Sequence, residues 1–186
     1  LIPSFDLDNE DPASRSWKPK VFHNFPGRGS DAGETAWKVG LYTSAAPTYF
    51  PSVDGFVDGG VYAGNPSMCA LAQTQDSRYT PTPQLSQVRL LSLGTGTNLQ
   101  YIAGATHDWG YVQWARPLID LMLDGTAGIA DYQCRQLLGE RYHRLAPVFP
   151  PGVRVPLDDV DRIPDLIDFA AEVPLHTTVD WIKRFW

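Results

Sequence analysis

Apolar positions along this chain fall in short runs broken by proline, glycine and charged residues, and each run has a period that can be read. Gln87-Val88-Arg89-Leu90-Leu91-Ser92-Leu93 is mostly apolar and stops at Gly94-Thr95-Gly96-Thr97, the pattern of an interior parallel strand ending in a tight turn. Lys20 to Phe25 alternates before Pro26-Gly27, which predicts a short strand with His23 toward solvent. Arg141 to Leu145 reads as a last edge strand, closed by Pro147 and Pro150-Pro151-Gly152. Phe56-Val57 is a further short run, and it ends on Asp58-Gly59-Gly60.

The helical spacings lie between these strands. Asp31-Ala32-Gly33-Glu34 has the form of a capping box, followed by Trp37, Leu41 and Ser44 on one face and ended by Pro47. Asn65 and Pro66 open a helix running to about Gln75 and burying Met68, Leu71 and Ala72. Residues 101–124 carry Tyr101, Trp109, Tyr111, Trp114, Leu118, Ile119, Leu121, Met122 and Leu123, with Pro117 suited to a first turn. Most of these are expected in the core and the rest along an acyl-chain cleft. Ile129, Tyr132, Gln133, Gln136 and Leu137 continue at helical spacing to Gly139, a natural C-cap. Asp158 to Val173 predicts a helix with its acids at the N-terminal end, and Thr177 to Asp180 cap a final short helix in which Trp181 and Phe185 share a face. Residues 1–20 read as an extended, proline-punctuated lead-in, and 76–87 as a polar loop. Strand, loop and helix alternate, so the fold class is α/β, with about four strands and five helices expected.

Length and composition narrow the picture. The 186 residues, 43% apolar and 19% charged, fit one ordered domain; 16 glycines and 16 prolines imply many loops. The net charge of −6 and the lack of a Lys/Arg cluster exclude nucleic acid as a main partner and strong electrostatic attachment to anionic membranes. No apolar run reaches the roughly 20 residues of a membrane span. No signal peptide is visible, but the chain starts without Met, so that silence carries no weight, and a soluble protein in a cytoplasmic setting is the expectation. Cys69 and Cys134 both sit in apolar helical patterns and read as buried free thiols.

The chemistry centres on Asp58. If Phe56-Val57 end a buried strand, the carboxylate emerges at its carboxyl end, where open α/β sheets place their ligands. Gly59 and Gly60 let a partner group come close, and positive φ is open to both. Partial desolvation strengthens a carboxylate as a base. Asp-Gly between apolar residues is also a hairpin signal, but Val61 to Gly64 leads into the Asn65-Pro66-Ser67 helix start, leaving no room for a second long strand.

Three motifs in order, Ser44-Ala45-Ala46-Pro47-Thr48-Tyr49-Phe50-Pro51, Val57-Asp58-Gly59-Gly60-Val61 with Asn65-Pro66, and Leu91-Ser92-Leu93-Gly94-Thr95-Gly96-Thr97, resemble the patatin-like lipid acyl hydrolases. The opening Leu1-Ile2-Pro3-Ser4-Phe5-Asp6-Leu7 and the late Tyr142-His143-Arg144-Leu145 fit as well. The resemblance implies a three-layer α/β/α fold with a mixed, mostly parallel central sheet. It implies lipid or acyl-ester substrates, no cofactor and no calcium requirement. It also implies a Ser–Asp dyad in which Asp58 is the carboxylate.

The nucleophile's motif is not found. No G-x-S-x-G occurs in the 186 residues, and Gly27-Arg28-Gly29-Ser30-Asp31-Ala32-Gly33 places Ser30 directly after a glycine. The chain therefore reads as the C-terminal part of one catalytic domain, inactive alone, expected to associate with an N-terminal half or with itself and compatible with peripheral membrane contact. The alternative is a non-catalytic lipid-binding or interaction module on the same scaffold. A Ser-His-Asp site would have to draw on His23, His107, His143 or His176, none in a recognisable setting. Zinc spacings are absent. The acids Asp6, Asp8, Glu10 and Asp11 lack the closing glycine and glutamate of a calcium loop, and Gly94-Thr95-Gly96 lacks the third glycine of a dinucleotide fingerprint.

Overall fold

A computed structural model describes residues 1–186 apart from 28, 104–107, 116 and 154, and apart from the side chain of residue 119. Arg28, His107 and the Ile119 side chain, each part of a sequence reading above, thus lie outside the described residues. The fold is α/β, with five strands and seven α-helices among the described residues. The chain divides into two compact units, one of residues 1–73 and 110–132, the other of residues 74–109 and 133–186.

The first unit is built on a three-stranded antiparallel sheet in the order β2-β1-β3, formed by β1 (Ile2–Asp6), β2 (Lys18–Phe22) and β3 (Phe56–Asp58). The supposed lead-in thus supplies the central strand. Its alternation was obscured because the proline count suggested loop, yet both prolines suit their places. Pro19 lies in β2 on the sheet edge, where a missing N–H is tolerated. Pro3 pairs with Val21 of β2 but lies one residue outside the β1–β3 ladder, which begins at Ser4 opposite Asp58. The acids that follow β1 are tied up locally: Asp6, Asp8, Asn9 and Asp11 side chains accept backbone N–H groups two residues on, and Asp8 pairs with Arg15.

Helix α1 (Ala36–Ser44) starts five residues later than the Asp31 capping box predicts. Asp31 is engaged elsewhere: its carboxylate accepts the His23 N–H at 2.9 Å and pairs with Lys20, pinning the end of β2. The buried face of α1 is Val39 and Tyr42, whereas Trp37 is 65% exposed and Leu41 46%. Val39, Tyr42 and Phe22 form a small core against which Val53 and Phe56 pack. Two short helices, α2 (Gly60–Ala63) and α3 (Ser67–Thr74), follow β3. Asn65 Oδ1 accepts the Ser67 N–H at 3.2 Å, the expected cap. In α3 Leu71 is buried, Met68 half-buried and Ala72 exposed.

The second unit holds the parallel pair β4 (Leu90–Leu93) and β5 (Tyr142–Leu145), in register Leu90–Tyr142 to Leu93–Leu145. The pairing resumes beyond the turn as an isolated bridge between Thr97 and Val148. The glycines of that turn are explained by packing: a Cβ on Gly94 would lie 2.9 Å from the Arg144 guanidinium, and one on Gly96 2.7 Å from the Phe149 ring. The C-terminal helices are α6 (Ile163–Glu172) and α7 (His176–Phe185). Thr178 lies inside α7, not at its cap, and its hydroxyl meets His143 Nε2 at 2.8 Å. Trp181 and Phe185 do share a face, with ring centroids 5.3 Å apart.

A short helix α4 (Tyr111–Trp114) precedes α5, a single helix from Pro117 to Leu138 followed by Gly139 at φ +55°. Its buried positions are Ala130, Cys134 and Leu138, at spacings of four. Ile129, Tyr132 and Leu137, the stripe chosen from sequence, are exposed. Of the large residues between 101 and 124, Tyr101, Tyr111, Trp114, Leu118, Leu121 and Met122 are exposed, and Trp109 and Leu123 half-buried. The expectation that most would be core is thus overturned in this chain. Both cysteines are free thiols, Cys134 fully buried and Cys69 partly so.

The reassigned faces give a direct stability test. Leu71, 1% exposed, leaves a cavity when truncated, so Leu71→Ala should cost about 2–5 kcal/mol. Trp37→Ala, on the face the sequence favoured, should change stability by no more than about 0.5 kcal/mol. Chemical denaturation of both variants checks the assignment, and reversed magnitudes would refute it.

Candidate active site

Asp58 is positioned by a strand of only three residues, so its placement depends on what holds that strand at each end. The approach is a two-residue turn at Asp54-Gly55. Val53 and Phe56 exchange both N–H···O bonds at 3.0 and 2.9 Å, and Asp54 and Gly55 take φ values of +49° and +83°. Both central residues are left-handed, as the tightest hairpin turns require. The Asp-Gly hairpin signal therefore belongs to Asp54-Gly55, four residues before the motif at which sequence reading weighed it. The Leu7 N–H donates to Gly55 O at 2.9 Å and fastens the turn to the end of β1. The Tyr42 hydroxyl donates to Asp54 Oδ2 at 2.7 Å, and Lys38 Nζ lies 3.5 Å from the same oxygen.

Phe56 then anchors the strand. Its ring stacks on Tyr42 at 4.7 Å and meets Phe22 at 5.5 Å. Two residues along a strand return to the same face, so Asp58 emerges on the side that Phe56 packs against α1. The Asp58 N–H donates to Ala45 O at 3.0 Å. The Ser44-Ala45-Ala46-Pro47 segment, met in the sequence as a separate motif, is thus in contact with Asp58.

After Asp58 the chain turns at once into α2. The Gly60 N–H donates to Asp58 Oδ1 at 2.6 Å. Among the described residues Oδ2 has no hydrogen-bond partner and the carboxylate no ion pair, and Asp58 is half-buried. Gly59 is glycine for a reason other than the positive φ expected of it: its φ is −66°. A Cβ there would lie 2.3 Å from Pro3 O and 2.4 Å from Pro3 C, so the absence of a side chain lets β1 and the Asp58 loop touch. Pro3 O also accepts the Thr43 hydroxyl at 2.6 Å.

The other sequence candidates carry other duties. His23 follows β2 directly and its ring lies tilted against Phe25, and His143 in the second unit is held by Thr178 and stacked on Trp181. No histidine hydrogen-bonds to Asp58 among the described residues. Nor does any group of three or more His, Cys, Asp or Glu among them stand ready to hold a metal ion. No helix among them is long and apolar enough to cross a membrane. Sequence reading missed Ser4, Thr43 and the Tyr42–Asp54 pair, whose only signals were polar residues inside otherwise apolar runs.

Comparison with known proteins gives this geometry its context. No family model matches the chain. It is 27% identical to the putative sporulation hydrolase CotR of Bacillus subtilis over a 212-residue alignment that spans all of this chain and 63% of the relative. It is 30% identical to a cGAMP-activated phospholipase of Pseudomonas aeruginosa over 130 residues, 67% of this chain and 38% of that protein. It is 26% identical to patatin-like protein 2 of Oryza sativa subsp. indica over 163 residues, 70% of this chain and 38% of that protein. The chain belongs to the patatin-like family. It spans less than two thirds of the length of these patatin-like relatives.

Electrostatics marks the Tyr42–Asp54 pair before the Asp58 strand. The Tyr42 hydroxyl, then Lys38, hold Asp54 below the usual carboxylate range. The same bond, reinforced by burial, pushes Tyr42 up to about 12. Tyr62, whose hydroxyl donates to Lys20 O at 2.9 Å, is pushed up to about 12 by burial and then by Cys69.

Two outcomes follow from this geometry. Gly59→Ala places a methyl group against the Pro3 backbone and should destabilise by about 1–3 kcal/mol or more, as overpacking does, with thermal unfolding as the readout; an unchanged midpoint would show that β1 and the Asp58 loop do not touch. The second concerns pH. Tyr42 titrates higher folded than unfolded, so its share of stability is complete below about pH 10 and lost as pH rises through about 12. Asp54 titrates lower folded than unfolded, so its share is present at neutral pH and lost as acid carries the pH down through its lowered value. Asp54→Asn should bring the Tyr42 titration down, followed by NMR of the tyrosine rings; an unmoved Tyr42 would assign its shift to burial alone.

Proposed function

We propose that this chain carries the base-bearing part of a serine-type lipid acyl hydrolase, with Asp58 as the carboxylate of a Ser–Asp dyad. The observation that carries the reading is the state of that carboxylate. One oxygen is fixed by the Gly60 N–H at 2.6 Å, and the other is unengaged among the described residues, at the end of a braced strand. A carboxylate so held keeps one lone-pair face for a proton. The relatives named as a putative sporulation hydrolase in Bacillus subtilis and a phospholipase in Pseudomonas aeruginosa support ester hydrolysis of lipids as the reaction class.

In this scheme a Ser hydroxyl attacks the ester carbonyl carbon while Asp58 Oδ2 takes its proton. The tetrahedral adduct collapses as the carboxylic acid returns that proton to the departing alcohol, leaving an acyl-serine. Water then enters by the same exchange and releases the fatty acid. The chain's 186 residues contain no G-x-S-x-G, so the nucleophile and the oxyanion donors come from a part of the protein outside them. The 186 residues alone should bind acyl groups at most.

Exposed Trp37, Leu41, Tyr49 and Phe50 lie on α1 and on the segment that follows it toward the Asp58 strand. They are covered in the whole protein by its remaining part or by a second copy, or they line the path of an acyl chain at a membrane surface, since apolar patches of this kind mark interaction sites. The missing motif also favours a second reading, a patatin-like module that binds lipid without cleaving it.

Fluorophosphonate labelling separates the two. The full-length protein should label on one Ser. Asp58→Asn, which keeps an acceptor for the Gly60 N–H, should label about 10²–10⁴-fold more slowly, and the 186-residue chain should not label. An unlabelled full-length protein would leave the lipid-binding module.

A further inference from the structure

The strand that presents Asp58 is too short to hold itself, and one buried polar side chain joins it to the two elements beside it. Ser4 is fully buried and is among the largest side chains with no exposure. It sits in the central strand directly opposite Asp58 in the antiparallel register, so the two side chains leave the same face of the sheet. The Ser4 hydroxyl lies 2.8 Å from Val57 O, the carbonyl immediately before Asp58, and 3.3 Å from Tyr42 O in the last turns of α1. A serine has one proton to donate, and the shorter distance assigns it to Val57 O, with Tyr42 O as a second acceptor.

A buried hydroxyl is costly unless it is hydrogen-bonded, and that of Ser4 is bonded to Val57 O. Helix α1, meanwhile, is joined to the same region at two further points. Thr43 donates to Pro3 O at 2.6 Å, and Ala45 O accepts the Asp58 N–H at 3.0 Å. The one peptide unit between Val57 and Asp58 is therefore held on its carbonyl by Ser4 and on its N–H by Ala45 O, and Gly59, the next residue, lies against the Pro3 backbone.

We propose that Ser4 is a positioning residue for Asp58, its hydroxyl setting the peptide plane between Val57 and Asp58 relative to the last turns of α1. This rests on the reading of Asp58 as the base. Ser4 touches neither substrate nor nucleophile; it acts by fixing the backbone from which the carboxylate projects. Rotation of that peptide plane would swing Oδ2 away from the hydroxyl it must deprotonate, and displacements of about 1 Å in such a geometry cost up to about 10²-fold in rate.

The test is time-resolved fluorophosphonate labelling of the full-length protein, reading rate constant and final amplitude separately. A residue that only supports the fold lowers the amplitude, because fewer molecules are native, and leaves the rate constant of the native fraction unchanged. Ser4→Ala should instead lower the rate constant about 10- to 100-fold at wild-type amplitude, and Thr43→Val should act in the same direction. Ser4→Cys, close in size and with a weak donor, should recover part of the rate and serves as the foldable variant if alanine is not tolerated. Wild-type rate constants in Ser4→Ala or in Ser4→Cys with Thr43→Val, whatever the amplitude, would overturn the proposal for Ser4 provided Asp58→Asn labels slowly. If Asp58→Asn also labels at the wild-type rate, the dyad reading itself has failed.

Discussion

The close approach of Pro3 and Gly59 is the constraint on which the site depends. A peptide carbonyl occupies the space that any side chain at position 59 would need, so β1 and the Asp58 loop meet backbone to backbone. That contact is possible because Pro3 stands just outside the β1–β3 ladder and owes that edge no N–H. Its carbonyl, left over by the sheet, is taken by Thr43 of α1. Sheet, helix and loop thus converge within two residues of a carboxylate, and a strand of three residues suffices to present it because every end of it is tied.

The treatment of the carboxylates in the first unit follows a division of labour. Asp6, Asp8 and Asp11 cap local turns, Asp8 with an arginine partner besides. Asp31 holds the end of β2, and Asp54 holds a left-handed turn through Tyr42. Each is bound to N–H or O–H donors. Asp58, like Asp6, accepts a single backbone N–H on one oxygen and has no ion pair among the described residues.

The helices show where hydrophobic patterning loses its power to assign faces. Helix α1 carries Trp37, Val39, Leu41 and Tyr42, apolar residues on more than one side, and the sequence offers no reason to prefer one. The choice of Val39 and Tyr42 is made by Phe22 and Phe56, which come from two strands distant in sequence. In α5 the buried positions Ala130, Cys134 and Leu138 are modest in size, whereas the larger Ile129, Tyr132 and Leu137 point outward. Size alone therefore misdirects the choice of core.

By itself the sequence determined the α/β class, the patatin-like kinship, the position of Asp58 at the end of a strand, the Asn65 cap and the free state of both cysteines. These are local: they depend on short motifs, on turn chemistry and on residues within a few positions of one another. Only the tertiary structure decided that residues 2–6 form the central strand, that the hairpin turn lies at Asp54-Gly55, that Gly59 is required by Pro3 and not by its own dihedral angle, and that Ser4 and Thr43 brace the site. The Asp54-Gly55 turn closes locally between Val53 and Phe56 and is fastened to β1 by the distant Leu7. The central strand, the Gly59 approach and the two braces turn on contacts between residues roughly 40 to 55 positions apart, set by which surfaces the fold brings together.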